Sequence, residues 1–328
     1  MKLFTSPDGK FQLFIPKHWQ YKNVLFKRDS SEPHAFGEYE DTIGAFQVSC
    51  RALNEHIAEL IIKNKLPVQK SKNTKIHFSE KFVEVTGTCM FSWMAAIEDH
   101  FVFATFTYQK KETERVSKKV NAVRKSLDSF KFIRTEFRNK VLADRRYSLF
   151  MYSLAATIDL RNKALENGSF IELIVLTANR IDALLRLSLL LTRQLKESND
   201  LIDISLLYQG EEDKPIMERQ VYTLALKEKV ITQTIFDDLE RLYKDRNRVV
   251  HRYIITDIQT EDIITIVFAY YDMEEKIDVI INDLERQQFE KKIGLNAHTE
   301  PGVLTIEQRE KLEFAVKDKH GNIKWGKA

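Results

Sequence analysis

Cysteine, glycine and proline are scarce in this chain, and their scarcity excludes several classes of protein. Two cysteines, Cys50 and Cys89, in 328 residues are too few for a disulfide framework or a cysteine-based zinc site. The ten glycines are dispersed, so no glycine-rich loop is present to bind the phosphates of ATP or a dinucleotide. The histidines show no paired metal-ligand spacing. We therefore expect the protein to use neither a metal ion nor a cofactor.

Long apolar runs and a large excess of one charge are also lacking. The most apolar stretch, residues 184–191, contains Arg186 and is far shorter than the roughly 20 residues that span a bilayer. The start of the chain lacks the apolar run of a signal peptide. Because the net charge is only +3, a surface for nucleic acid must be a local patch. We expect a soluble, cytoplasmic protein without a membrane segment.

Residues 1–133 have the alternating apolar pattern and the turns of β-strands. The pattern predicts strands at 11–15, 44–53, 75–86, 89–98 and 100–109, and helices at about 54–64 and 112–128. This order favours an antiparallel sheet with helices packed against it, which is an α+β sandwich domain.

Both ends of this domain carry short motifs that resemble a known group. Residues 6–19, SPDGKFQLFIPKHW, contain a strand leading into Pro-x-x-Trp, and residues 127–132, LDSFKF, contain Ser-Phe-x-Phe after a helix. These anchors resemble the PsbP-like α/β/α sandwich group. Members of that group are mostly binding or adaptor modules, so the resemblance implies a protein partner for residues 1–133 and gives them no activity.

From residue 134 the chain changes to helical periodicity. Apolar residues recur every three or four positions, which predicts helices at about 134–165, 170–196, 217–227, 231–246, 249–254 and 258–290. Helices of this length form a bundle. Residues 291–328 have the composition of an extension, with one short helix at about 305–317. The predicted fold class is therefore α+β, with a sheet domain at 1–133, an all-α bundle at 134–290 and an extension at 291–328.

The segment KDRNRVVHRY, residues 244–253, combines the side chains that phosphodiester chemistry needs without a metal. The guanidinium of Arg246 suits a phosphate, and the imidazole of His251 exchanges protons near neutral pH. With Asn247 directly after the arginine, the segment resembles the Arg-x4-6-His motif of the HEPN superfamily. The resemblance covers about residues 145–290.

The spacing of arginine and histidine alone does not identify this motif, because residues 28–34 and 51–56 fit it as well. Only Arg246 is followed by Asn and flanked by long helical patterns. Many HEPN proteins are metal-independent ribonucleases that work as dimers. The resemblance therefore implies that Arg246 holds a phosphate, that His251 is the general base or acid, and that Asn247 orients the imidazole or a phosphate oxygen.

Helix geometry limits how Arg246 and His251 could act together. Successive residues turn by about 100°, so five positions place these side chains about 140° apart on an unbroken helix. They could meet at one phosphate if the helix broke after Arg246, or if two chains paired across a two-fold axis. The resemblance favours the second arrangement, a homodimer in which two copies of the motif line one groove.

HEPN proteins often carry a polar residue on a long helix that faces the motif, so the resemblance makes Arg180 and Asp182 of the helix at 170–196 candidates for that position. Basic and aromatic residues also surround the motif in the sequence. Positively charged side chains bind phosphates, and an unstacked base can stack on an aromatic ring. We expect five of these residues to bind RNA: Arg241, Lys244, Arg248, Arg252 and Tyr253.

The sequence is compatible with two kinds of function. The first, implied by the HEPN resemblance, is a metal-independent endoribonuclease that acts as a toxin or an antiphage effector. The second is a dimerising module that binds RNA or protein without catalysis, including an adaptor that neutralises another toxin.

Overall fold

A computed structural model describes residues 1–25, 32–38, 43–72, 75–210, 214–302 and 306–320. The chain divides into two compact units, Met1–Leu142 and Ala143–Ala328. Sheets and helices make up the first unit, whereas the described part of the second consists of helices and their connections. The predicted α+β fold class is confirmed.

The first unit contains a small and a large sheet. Strands β1 (Lys2–Thr5), β2 (Phe11–Ile15) and β10 (Lys131–Phe132) form the small one, in the order β1-β2-β10. The large sheet contains β3 (Gln20–Tyr21), β4 (His34–Gly37), β5 (Ala45–Ala52), β6 (Val68–Gln69), β7 (Ser79–Val85), β8 (Thr88–Ile97) and β9 (His100–Gln109). Its order is β3-β4-β5-β9-β8-β6, with β7 also paired to β8. Only β6 pairs in parallel among these described strands.

Successive side chains of β9 point to opposite faces of the large sheet, and each face packs against a helix. The unit also contains helices α1 (Lys22–Leu25), α2 (Glu55–Lys63) and α3 (Thr113–Asp128). Val102 and Phe106 are buried with the apolar residues of α3. Phe101 points to the opposite face and packs with Ile57 and Ile61 of α2. The two helices predicted in this region therefore lie on opposite faces of the sheet.

Gly44 and Gly87 form a matched pair for testing how tightly the large sheet is packed. Their φ angles are +75° and +78°, which disfavour a side chain. A Cβ on Gly44 would meet the Phe106 ring, whereas nothing lies near Gly87. We expect Gly44→Ala to lower the free energy of unfolding by about 2–4 kcal/mol through strain and overpacking, and Gly87→Ala by about 1 kcal/mol. Urea denaturation measures both, and equal losses would contradict the close approach to Phe106.

The second unit is built on long helices. Their bounds are α4 (Thr135–Glu166, which crosses the division between the units), α5 (Phe170–Glu197), α6 (Ile204–Leu207), α7 (Glu218–Lys227), α8 (Gln233–Arg252), α9 (Thr260–Lys291) and α10 (Ile306–His320). The prediction of separate helices at 231–246 and 249–254 is wrong, because α8 runs through both. Buried Leu242 and Val249 lie seven residues apart on one face, so the apolar pattern continues across the polar residues between them.

A buried carboxylate joins three helices of this unit. Glu274 of α9 is 6% exposed. Arg161 of α4 bonds both of its carboxylate oxygens, at 2.6 and 2.7 Å, and Arg180 of α5 donates to one of them. Two guanidinium groups therefore compensate one buried negative charge.

The predicted extension is anchored at its start. The backbone N–H of Leu295 donates to Gln194 Oε1 at 3.3 Å, and that of Asn296 donates to Gln288 Oε1 at 3.1 Å. Helix α10 follows where a short helix was predicted, and residues 303–305 and 321–328 lie outside the described residues. None of the described helices combines the length and apolar composition that crossing a bilayer requires.

Candidate functional site

Helix α8 carries Arg246, Asn247 and His251, and Tyr253 begins the 3-10 turn that follows it. The helix does not break after Arg246. One of the two ways in which Arg246 and His251 could meet is therefore excluded, and only pairing with a second chain is left.

The two sides of α8 have different surroundings. Leu239, Leu242 and Val249 are buried and define the side that faces the core. Arg246 lies within roughly 60° of Leu242 and Val249 by helical rotation, and it is only half-buried because it is long and polar. His251 is exposed and lies about 140° from Arg246. A single chain does not bring the two predicted catalytic side chains together.

The guanidinium of Arg246 is engaged inside the second unit. Its Nη1 donates to Glu218 Oε2 of α7 at 2.6 Å, and its Nη2 donates to Asn247 Oδ1 at 3.4 Å. The group also lies over the ring of Tyr243, 4.8 Å from the centroid. Burial lowers the pKa of Arg246, but Glu218, together with Tyr270 and Tyr222, raises that pKa above its usual value on balance. The arginine fork that was predicted to hold a phosphate therefore holds a carboxylate.

Glu218 is the residue near the motif that sequence reasoning missed. It also accepts a hydrogen bond from the hydroxyl of Tyr222, so one carboxylate serves two partners on two helices. Burial raises the pKa of Tyr222, and the charge of Glu218 raises it further. No sequence signal identifies this pairing, because Glu218 precedes Arg246 by 28 residues and lies in a different helix.

The remaining predicted site residues differ in their contacts. Asn247 is half-buried beside Arg246, and no described residue hydrogen-bonds to the ring of His251. Arg180 donates to Glu274. Asp182 Oδ2 accepts from Arg186 at 2.7 Å, and burial raises the pKa of Asp182 despite that cation. Of the two candidates on α5, Asp182 has an electrostatic interaction with Arg246, which lowers the pKa of Asp182.

His251 instead shares the exposed side of α8 with the predicted RNA-binding cations. By helical rotation these residues lie within roughly 100° of one another. They extend about 16 Å along the axis. We call this side the basic face of α8, and its members are Arg241, Lys244, Arg248, His251 and Arg252.

The cations of the basic face form only weak, exposed interactions with neighbouring acidic residues. Arg241 is 66% exposed and pairs with Asp238 at 2.9 Å, and Arg248 is 50% exposed and lies 3.7 Å from Asp245. Lys244 has no ion pair within 4 Å among the described residues, although it interacts electrostatically with Glu240. Exposed pairs of this kind contribute about 0–1 kcal/mol, so they can open to let the cations bind a polyanion.

Apolar side chains are exposed where α8 ends. Ile254 and Ile255 are 93% and 79% exposed, next to Tyr253 at 45% and Val250 at 40%. The sequence pattern included Ile254 in a helix, where an isoleucine is expected to be buried. Its exposure could be recognised only once the end of α8 was fixed by the structure.

No group of three or more His, Cys, Asp or Glu side chains in the described residues is arranged to hold a metal ion. The basic face itself presents one imidazole and several cations. An imidazole transfers protons, and guanidinium and ammonium groups stabilise charge on phosphoryl oxygens.

Comparisons with known proteins add little to this geometry. No family model and no curated protein matches the chain. A solved protein from Bacteroides thetaiotaomicron is 12% identical, with 56% of this chain and 76% of that chain covered and a TM-score of 0.30. A score at this level does not show a shared fold, so neither family nor function follows from it.

Proposed function

We propose that the second unit binds RNA along the basic face of α8 and cleaves it with His251, without a metal ion. The observation that carries this proposal is the position of His251, an exposed imidazole on the same side of one helix as four cations. A row of cations attracts phosphates whatever the sequence of the RNA, and an imidazole among them can act on the linkage that they hold.

The reaction uses the 2′-hydroxyl of the RNA as the nucleophile. His251 accepts the hydroxyl proton as the bond from O2′ to phosphorus forms and the bond from phosphorus to O5′ breaks. The imidazolium then gives the proton to the departing O5′. The products are a 2′,3′-cyclic phosphate and a 5′-hydroxyl, and the histidine returns to its neutral form.

Two copies of the chain pair at the exposed apolar end of α8, as the HEPN resemblance implies. Ile254 and Ile255 lie directly after His251 and offer an apolar surface to a second copy. A two-fold axis near this surface places like residues together, so two histidines and two rows of cations would line one groove.

Ile254→Asp is expected to convert this dimer into a monomer, because the substitution puts a charge into the apolar contact. Size-exclusion chromatography with light scattering measures the mass at several protein concentrations. Ile62→Asp is the matched control, since Ile62 of α2 is 76% exposed and lies in the first unit. A monomeric wild type, or a dimer that survives Ile254→Asp, would refute this surface.

The second candidate is RNA binding without cleavage. It is favoured by the engagement of Arg246 with Glu218, which leaves the predicted phosphate clamp about 140° from His251. Purified protein incubated with RNA in EDTA distinguishes the two. Bound but intact RNA supports the second candidate, and cleaved RNA supports the first.

We place the activity in the cytoplasm and assign it to a toxin or antiphage effector, in line with the HEPN resemblance. The first unit would then bind the protein partner that controls the second, as the PsbP-like resemblance implies.

A further inference from the structure

We propose that Arg248, and not Arg246, is the catalytic cation that holds the scissile phosphate beside His251. This assignment rests on the proposed function and deepens it by naming the second residue of the reaction. It departs from the motif, in which the arginine that opens the spacing would take that role.

The side chains of Arg248 and His251 lie close together on the surface of α8. Arg248 and His251 lie three residues apart, which makes their side chains neighbours about one turn apart on the helix surface. Both are exposed. A phosphate resting on this part of the basic face can touch the guanidinium and the imidazole together.

Arg248 and Arg246 differ in how firmly their guanidinium groups are bound by neighbouring residues. Arg248 has one distant ion-pair contact among the described residues, Asp245 at 3.7 Å, and half of its side chain is exposed. Arg246 is 16% exposed, bonds Glu218 at 2.6 Å and lies over Tyr243. Moving Arg246 to a phosphate beside His251 would leave the half-buried carboxylate of Glu218 without its cation. Arg248 can bind a phosphate with no such loss.

The other cations of the basic face fit this position less well. Lys244 has almost the same rotation as His251 but lies about 10 Å away along the helix axis. Arg252 follows His251 directly and points about 100° away from it. A guanidinium also binds two phosphoryl oxygens at once, which an ammonium group cannot do with the same geometry.

The test compares single-turnover cleavage of an RNA oligonucleotide in EDTA by wild type, Arg248→Gln, Arg248→Lys and Arg246→Lys, at saturating protein. We expect Arg248→Gln to lower the rate about 100-fold, because a preorganised donor to the phosphate is lost. Arg248→Lys should recover part of that rate. Arg246→Lys should cleave within about threefold of wild type, because a lysine keeps a cation at Glu218.

Thermal melting of each variant shows whether it is folded. If Arg246→Lys is folded and loses cleavage while Arg248→Gln keeps it, the assignment to Arg248 is overturned although the nuclease stands. If the wild type itself leaves the RNA intact, the proposed function fails and the assignment fails with it. The wild-type rate and the ratio between variants therefore report on the two proposals separately.

Discussion

His251→Ala is expected to lower the rate of RNA cleavage in EDTA by about 10²–10⁴-fold, because it removes the group that transfers the proton. The side chain is exposed and no described residue hydrogen-bonds to it, so the fold should be unaffected. Gel analysis of a labelled RNA over time measures the rate. Under the proposed role as a toxin or antiphage effector, expression of the wild type in a host cell should arrest growth, and the same substitution should abolish that arrest.

A matched variant separates the chemistry from a general effect of losing a histidine. His56 of α2 is exposed as well and lies outside α8. We expect His56→Ala to cleave RNA at the wild-type rate. Equal rates for His251→Ala and wild type would exclude His251 from the reaction.

Glu274→Ala is expected to lower the free energy of unfolding by about 3–5 kcal/mol, because it leaves the guanidinium of Arg161 buried without its carboxylate and that of Arg180 with only Asp278, 3.9 Å away. Both arginines are less than 20% exposed, so water cannot fully replace the lost partner. Urea denaturation followed by the helical circular dichroism signal measures this loss.

Glu275 gives the control for that measurement. It neighbours Glu274 on α9 and is exposed, so Glu275→Ala should change the free energy of unfolding by no more than about 0.5 kcal/mol. Similar unfolding midpoints for the two variants would contradict the structural importance of the buried carboxylate.

Local periodicity was enough to predict much of the fold. Strands predicted at 89–98 and 100–109 are Thr88–Ile97 and His100–Gln109. The alternation of apolar and polar residues along 100–109 is typical of a strand. The long helix predicted at 170–196 is Phe170–Glu197 for the corresponding reason. The break predicted between 246 and 249 was wrong, because a run of polar residues interrupts the pattern without interrupting the hydrogen bonds of a helix.

The residues of the candidate site could be predicted from the sequence, but the directions in which their side chains point could not. The sequence identifies an arginine and a histidine five positions apart, and helix geometry alone separates them by about 140°. Which of the two faces the core depends on Leu242 and Val249 and on the position of Glu218 in another helix. The apolar residues are a local signal on α8, whereas the pairing of Arg246 with Glu218 is a contact between two helices that no local pattern predicts.

The most direct test of the central claim is the chemical nature of the RNA ends that the protein produces in EDTA. Mass spectrometry of the products of a short defined RNA identifies them. Cleavage by the 2′-hydroxyl with His251 predicts 2′,3′-cyclic phosphate and 5′-hydroxyl ends, formed by the wild type and absent with His251→Ala. Intact RNA, or products that end in 5′-phosphate, would contradict it.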